Sequence, residues 1–146
     1  MKVITLFFLS LILAKGGCSD NGKIEKSVIV YEAMSRGFYR IIKIEDKKLY
    51  VASSRAEKPE EIKISKKDWA DLVDAFKEIN LQELNTYKPS SSKRFVDAAP
   101  HAGFKVQLDG SLYESQIFDH GNPPVEIENF INKLISLTLK ESYDNH

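Results

Sequence analysis

The chain has a single cysteine, Cys18, which follows a short apolar stretch at the N-terminus. Lys2 gives the stretch a positive start, and residues 3–14 are almost entirely apolar. A membrane-spanning helix needs about 20 apolar residues, so this stretch has instead the length of a signal-peptide hydrophobic region. Because no second cysteine is present, the rest of the chain cannot form an internal disulfide and must be stabilised by its core.

The residues before the cysteine resemble the lipidation site of bacterial lipoproteins. Gly16 and Gly17 are small, as in that motif, whereas Lys15 occupies a position that is usually aliphatic. The resemblance implies that Cys18 carries a diacylglycerol and a further acyl chain such as palmitate. Two or three acyl chains give a firm membrane anchor, so the expected location is the bacterial cell envelope, at the outer membrane. The alternative is an ordinary signal peptide with an incidental cysteine.

Four segments follow from this interpretation. Residues 1–17 are the expected signal peptide, and residues 18–26 are the lipidated cysteine and a polar tether. Residues 27–139 have the length of one domain. Residues 140–146 are polar and are predicted to be a frayed tail.

Several segments of the domain have the composition of strands. Residues 27–31, 38–44 and 49–52 predict a meander, and residues 61–64 predict a short edge strand. The pair Asp109-Gly110 is a strong hairpin signal. With this turn, Tyr113 opposes Val106 and Ile117 opposes Ala102, which leaves one face of the hairpin apolar.

Two segments are predicted to be helices. Ser65 and Asp68 resemble a capping box ahead of an apolar helical face. Asn122 can cap the last helix, with Pro123 as its first residue. The predicted fold is α+β, in the order β-β-β-(β)-α-β-β-α, with an antiparallel sheet of about five strands and both helices on one face. The other face is expected to be exposed or covered by a partner, given its polar residues Arg40, Lys43, Lys105 and Gln107.

As a whole, the chain resembles small uncharacterised lipoproteins of Gram-negative bacteria, over residues 27–138. The segments that carry the resemblance are residues 35–39, 67–69, 93–97 and 118–124. It implies a fold and a location and brings no activity.

Candidate functional residues lie in two loops. Residues 87–103 lack periodicity and exceed the usual length of a structureless connection, and they contain Arg94, Asp97 and His101. A second loop contains Asp119 and His120. The hairpin register predicts that His101 lies beside Asp119 and His120 at one end of the sheet.

Three interpretations of these residues remain open. His101, His120, Asp97 and Asp119 could form a metal-binding or hydrolytic site, although they match no known motif spacing. Arg36, Tyr39 and Arg94 could bind an anionic group. In a purely structural role, Arg94 and Asp97 would pair and pin the long loop.

Net charge and sequence motifs disfavour two classes of function, nucleic-acid binding and catalysis. Removing residues 1–17 leaves 19 basic against 21 acidic side chains, without a basic stripe, so nucleic acid is not an expected partner. No cofactor motif is present and the catalytic signatures are missing, which disfavours an enzyme. The favoured interpretation is a lipid-anchored binding or envelope-associated module, whose partner is an envelope protein or a small anionic ligand.

Overall fold

A computed structural model describes the backbone of residues 21–144 and the side chains of residues 22–139. The predicted signal peptide and Cys18 lie outside the described residues. Within the described part, no helix is both long enough and apolar enough to cross a bilayer.

One antiparallel sheet organises the domain. Its strand order is β4-β3-β2-β1-β5-β6, and β7 pairs with β5 beyond the end of β6. The strands are β1 (Val28–Ser35), β2 (Phe38–Glu45), β3 (Lys48–Ala52), β4 (Glu60–Ile62), β5 (His101–Leu108), β6 (Ser111–Glu114) and β7 (Phe118–Asp119). The predicted α+β class with an antiparallel sheet is confirmed. The described residues form seven strands rather than about five, because the edge segment adds a short strand that pairs with β3 and the second strand of the late hairpin is split in two.

Alternation of apolar and polar residues fixes which face of each strand is buried. Ile29, Tyr31 and Ala33 of β1 are fully buried, whereas their neighbours in sequence are not. The β5–β6 turn has positive φ at Asp109 (49°) and Gly110 (79°), as a two-residue hairpin requires. The register therefore turns one apolar face of the sheet toward the helices.

The described helices are α1 (Asn21–Lys26), α2 (Lys66–Lys77), α3 (Lys93–Val96) and α4 (Val125–Asp144), with a 3₁₀ helix at Leu81–Thr86. In α2, Ser65 is the N-cap, and its Oγ accepts from the Asp68 N–H at 3.0 Å, as predicted. Phe130 of α4 contacts Phe76 of α2 and Phe104 of β5, with ring centroids 5.5 and 5.7 Å apart. Both long helices thus share one core with one face of the sheet.

Two boundaries differ from the sequence expectation. Residues 21–26, expected to belong to the tether, form α1, and its Ile24 is only 1% exposed because it packs into the core. The Ser27 Oγ closes this helix by donating to the Lys23 carbonyl at 2.6 Å. At the other end, α4 continues to Asp144, into the segment expected to fray.

Two local predictions are wrong. The last helix begins at Val125, so Asn122 lies outside it, where its N–H donates to the Asp119 carbonyl at 2.9 Å. Arg40 is not on the open face of the sheet. It pairs with the buried Ala33 and alternates with the buried Ile42, which places it on the helix-covered side.

Candidate functional site

The candidate residues converge on one end of the sheet, here called the loop end. Met34 pairs with both Tyr39 and His101, and His101 pairs in turn with Asp119. The β1–β2 turn, which contains Arg36, closes the same end. The prediction that His101 lies beside Asp119 is therefore confirmed.

A one-residue bulge places Asp119 at this end. Tyr113 opposes Val106, as predicted, but Phe118 rather than Ile117 opposes Ala102. The Ser115 N–H donates to the Phe104 carbonyl at 2.9 Å, and the extra residue follows this bond. The shift by one buries the larger Phe118 completely and leaves Ile117 49% exposed.

Asp119 is the most fully buried charged residue of the site, with 1% of its surface exposed. Its Oδ2 accepts from the Ser91 hydroxyl and from the Lys93 N–H at 2.7 Å. Its Oδ1 accepts from the Arg94 N–H at 3.0 Å and from the Arg94 guanidinium at 3.1 Å. A carboxylate has about four acceptor positions, so these bonds use all of the capacity of Asp119.

The same bonds fix the charge state of Asp119. Burial on its own would raise the pKa, but hydrogen bonds from Ser91, Arg94 and Lys93 outweigh it and hold the pKa at about 2. Asp119 is therefore ionised at neutral pH. Because it accepts from two successive N–H groups at the start of α3, it anchors that short helix to the sheet.

Further hydrogen bonds hold the long loop in place. The Ser90 hydroxyl donates to the Pro123 carbonyl at 2.8 Å, and the His120 N–H donates to the Pro100 carbonyl at 2.8 Å. The prediction that Arg94 holds this loop against the rest of the domain is confirmed. Its predicted partner, Asp97, is wrong, because Arg94 pairs with Asp119.

His120 faces the core side of the loop end. Its Nδ1 lies 2.6 Å from the Tyr31 hydroxyl, and its ring centroid lies 5.0 Å from that of Phe38. With the imidazole neutral and its proton on Nε2, the Tyr31 hydroxyl donates to Nδ1. Burial, and then the charge of Arg40, lower the pKa of His120, so its imidazole is neutral at pH 7.

The predicted four-residue metal or acid–base constellation does not assemble. Asp119 has no acceptor position left, His120 is bonded to Tyr31, and Asp97 is exposed at the end of α3. His101 is exposed on the open sheet face. Among residues 22–139, no group of three or more His, Cys, Asp or Glu side chains is placed to hold a metal ion.

The predicted anion-binding residues are also separated. Arg94 is committed to Asp119, whereas Arg36 is exposed in the β1–β2 turn and shares an open depression with Tyr39 and Arg55. The Arg55 guanidinium lies 5.3 Å from the centre of the Tyr39 ring. Burial and the neighbouring Glu32 raise the pKa of the Tyr39 hydroxyl, so this tyrosine is neutral at pH 7.

Sequence reasoning missed the most unusual surface at this end. Phe95 and Val96 of α3 are 78% and 82% exposed, more than any other large apolar side chains among the described residues. The Arg94 guanidinium stacks on the Phe95 ring, 4.3 Å from its centre. The signal available was the pair of apolar residues inside an otherwise polar loop. We call Phe95 and Val96 the α3 tip.

No protein-family model, curated protein or solved structure matches this chain.

Proposed function

We propose that this chain is an exported, lipid-anchored protein of the bacterial cell envelope that binds another envelope protein through the α3 tip. The observation that carries the proposal is that Phe95 and Val96 are exposed to solvent on α3, a helix that the buried carboxylate of Asp119 anchors. Exposed apolar patches with a polar surround are typical of interaction sites.

The energetics of α3 support a role beyond loop closure. A helix of four residues is not stable by itself, since helix nucleation is unfavourable. The bonds from Ser91, Lys93 and Arg94 to Asp119 supply the missing stability. This anchoring presents the α3 tip as an ordered surface, so a partner would not have to order the loop on binding.

Charge around the α3 tip favours a protein over a bilayer as the partner. Lys93 and Asp97 flank the tip and carry opposite charges. A surface that binds anionic lipid headgroups needs an excess of basic residues, whereas a mixed rim around an apolar centre is typical of protein interfaces.

A catalytic or metal-binding role has less support. It requires free acceptor atoms on Asp119, whose oxygens are engaged by Ser91, Lys93 and Arg94, and the Nδ1 of His120 is already bonded to Tyr31.

Site-specific photo-cross-linking of the full chain in intact cells tests the binding proposal. A photoreactive phenylalanine analogue at position 95 or 96 is expected to give a discrete protein adduct. The matched control is position 112, because Leu112 is also exposed (60%) but lies beside the hairpin turn at the opposite end of the sheet. Identical adducts from all three positions, or adducts with lipid alone, would refute a protein partner at the α3 tip.

Location is tested separately by mass spectrometry of the native protein. We expect Cys18 to be the first residue and to carry acyl chains, and Cys18→Ser to leave the leader attached. A free thiol on a chain that retains residues 1–17 would refute the anchor without bearing on the α3 tip.

A further inference from the structure

Arg40 lies on the helix-covered side of the sheet and forms no ion pair with any residue that the structure describes. It lies on β2, opposite the buried Ala33. Its Nε is buried and has no hydrogen-bond partner among the described residues. Buried donors in native proteins are almost always paired, so the described residues alone do not satisfy this side chain.

Arg40 lines a cavity of about 340 Å³. This volume lies at the lower end of the range for small-molecule sites. Val51 and Ile62 give it an apolar wall, and Ser53 and Thr138 bring hydroxyl groups. The cavity thus combines a cation, hydroxyls and apolar surface, as ligand sites commonly do.

Acidic residues also line the cavity. Glu57 and Glu60 lie in the segment between β3 and β4 and are exposed, and neither forms an ion pair among the described residues. Glu61 also lines the cavity but pairs with Lys48 at 3.1 Å, and Lys58 adds a second cation. Carboxylates that line the same cavity as Arg40 would repel a multiply charged anion such as phosphate.

We propose that this cavity binds a small zwitterion of the amino-acid or dipeptide class. The ligand carboxylate accepts hydrogen bonds from the Arg40 guanidinium where it borders the cavity, and the ligand ammonium group faces Glu57 and Glu60. A planar guanidinium is well suited to a carboxylate. The site is distinct from the α3 tip, so the two proposals stand or fall independently.

The test uses the full chain purified in detergent and titrated by isothermal calorimetry. The probes are the free L-amino acids and the dipeptide Ala-Ala, with acetate and inorganic phosphate as comparison anions. At least one zwitterionic probe is expected to bind with a one-to-one ratio and a Kd of about 1 mM or tighter. Acetate and phosphate are expected to bind at least about tenfold more weakly.

Variants assign the binding to the cavity. Arg40→Met is expected to raise the Kd of the zwitterion more than about tenfold. Glu57→Gln combined with Glu60→Gln should weaken binding of the zwitterion and strengthen binding of acetate, because two repelling negative charges are removed. The matched control is Lys66→Met, which removes an exposed positive charge at the start of α2.

Three results would overturn the proposal. The first is that no probe binds at about 10 mM. The second is that binding survives Arg40→Met in protein that melts cooperatively. The third is that phosphate or acetate binds as tightly as every zwitterion.

Discussion

Replacing Arg40 by methionine should stabilise the unliganded protein. An unsatisfied buried donor costs about 1–3 kcal/mol, and the Nε of Arg40 is such a donor. Methionine keeps an unbranched stem that can fill the same space beneath β2. Because the outer guanidinium nitrogens border the cavity, we take the lower end of the range and expect a gain of about 1 kcal/mol.

The assay is thermal unfolding followed by circular dichroism at pH 7. For a domain of this size, a gain of about 1 kcal/mol corresponds to a rise in Tm of roughly 3–5 °C. A urea titration should give the same sign with an unchanged m value. Arg40→Lys is the matched control, because it keeps the charge at this position.

A second observable tests the electrostatic part of the reasoning. The charge of Arg40 lowers the pKa of His120, after the larger effect of burial. In Arg40→Met this pKa should rise toward, but not reach, the ordinary histidine value, because the ring stays buried. In Arg40→Lys it should move much less. An NMR titration of the imidazole resonances measures both variants.

The reasoning is refuted if Arg40→Met melts several degrees below the wild-type protein. That result would mean that Arg40 has a stabilising partner and that its Nε is not an unpaired donor. An unchanged His120 pKa would separately refute the field attributed to Arg40.

Three further predictions concern the loop end and the core. Asp119 has a folded pKa of about 2, below its value in the unfolded chain, so its stabilising effect is complete above pH 4 and is lost as the pH falls toward 2. Thermal melts between pH 5 and 2 should show this loss of stability. Asp119→Asn should remove this pH dependence and lower the Tm at pH 7. Tyr31→Phe deletes the hydroxyl bonded to His120 and should lower the free energy of unfolding in urea by about 1–3 kcal/mol, because the ring nitrogen loses its partner. A change below about 0.5 kcal/mol would argue against this bond. Phe130→Ala removes a ring that contacts both α2 and β5 and should cost about 3–5 kcal/mol by the same measurement.

Local sequence signals predicted the fold where one interaction dominates. The Asp109-Gly110 turn set the hairpin register, because positive φ at both positions suits few residue pairs. Ser65 predicted the start of α2, since its hydroxyl satisfies a free N–H of the first turn. That register placed His101 and Asp119 at the same end of the sheet, and the bulge makes them direct partners.

Tertiary packing decided the features that the sequence did not predict. The bulge before Phe118 depends on whether the core takes Phe118 or Ile117, and both are apolar. The helix over Asn21–Lys26 depends on Ile24 finding a core position, which a short polar segment does not reveal. The partner of Arg94 was equally open, because Asp97 is nearer in sequence than Asp119.

Arg94 and Arg40 differ in whether they form an ion pair with a described carboxylate. Arg94 is only 14% exposed, and its charge is balanced by Asp119, so its burial is explained by the anchoring of α3. Arg40 is also partly buried, but its Nε has no hydrogen-bond partner among the described residues. A buried charge without a partner lowers the stability of the unliganded fold. A ligand that binds only the folded state stabilises it by RT ln(1 + [L]/Kd). A carboxylate ligand that pairs with Arg40 would therefore offset the destabilisation by this unpaired charge to an extent set by its concentration and Kd.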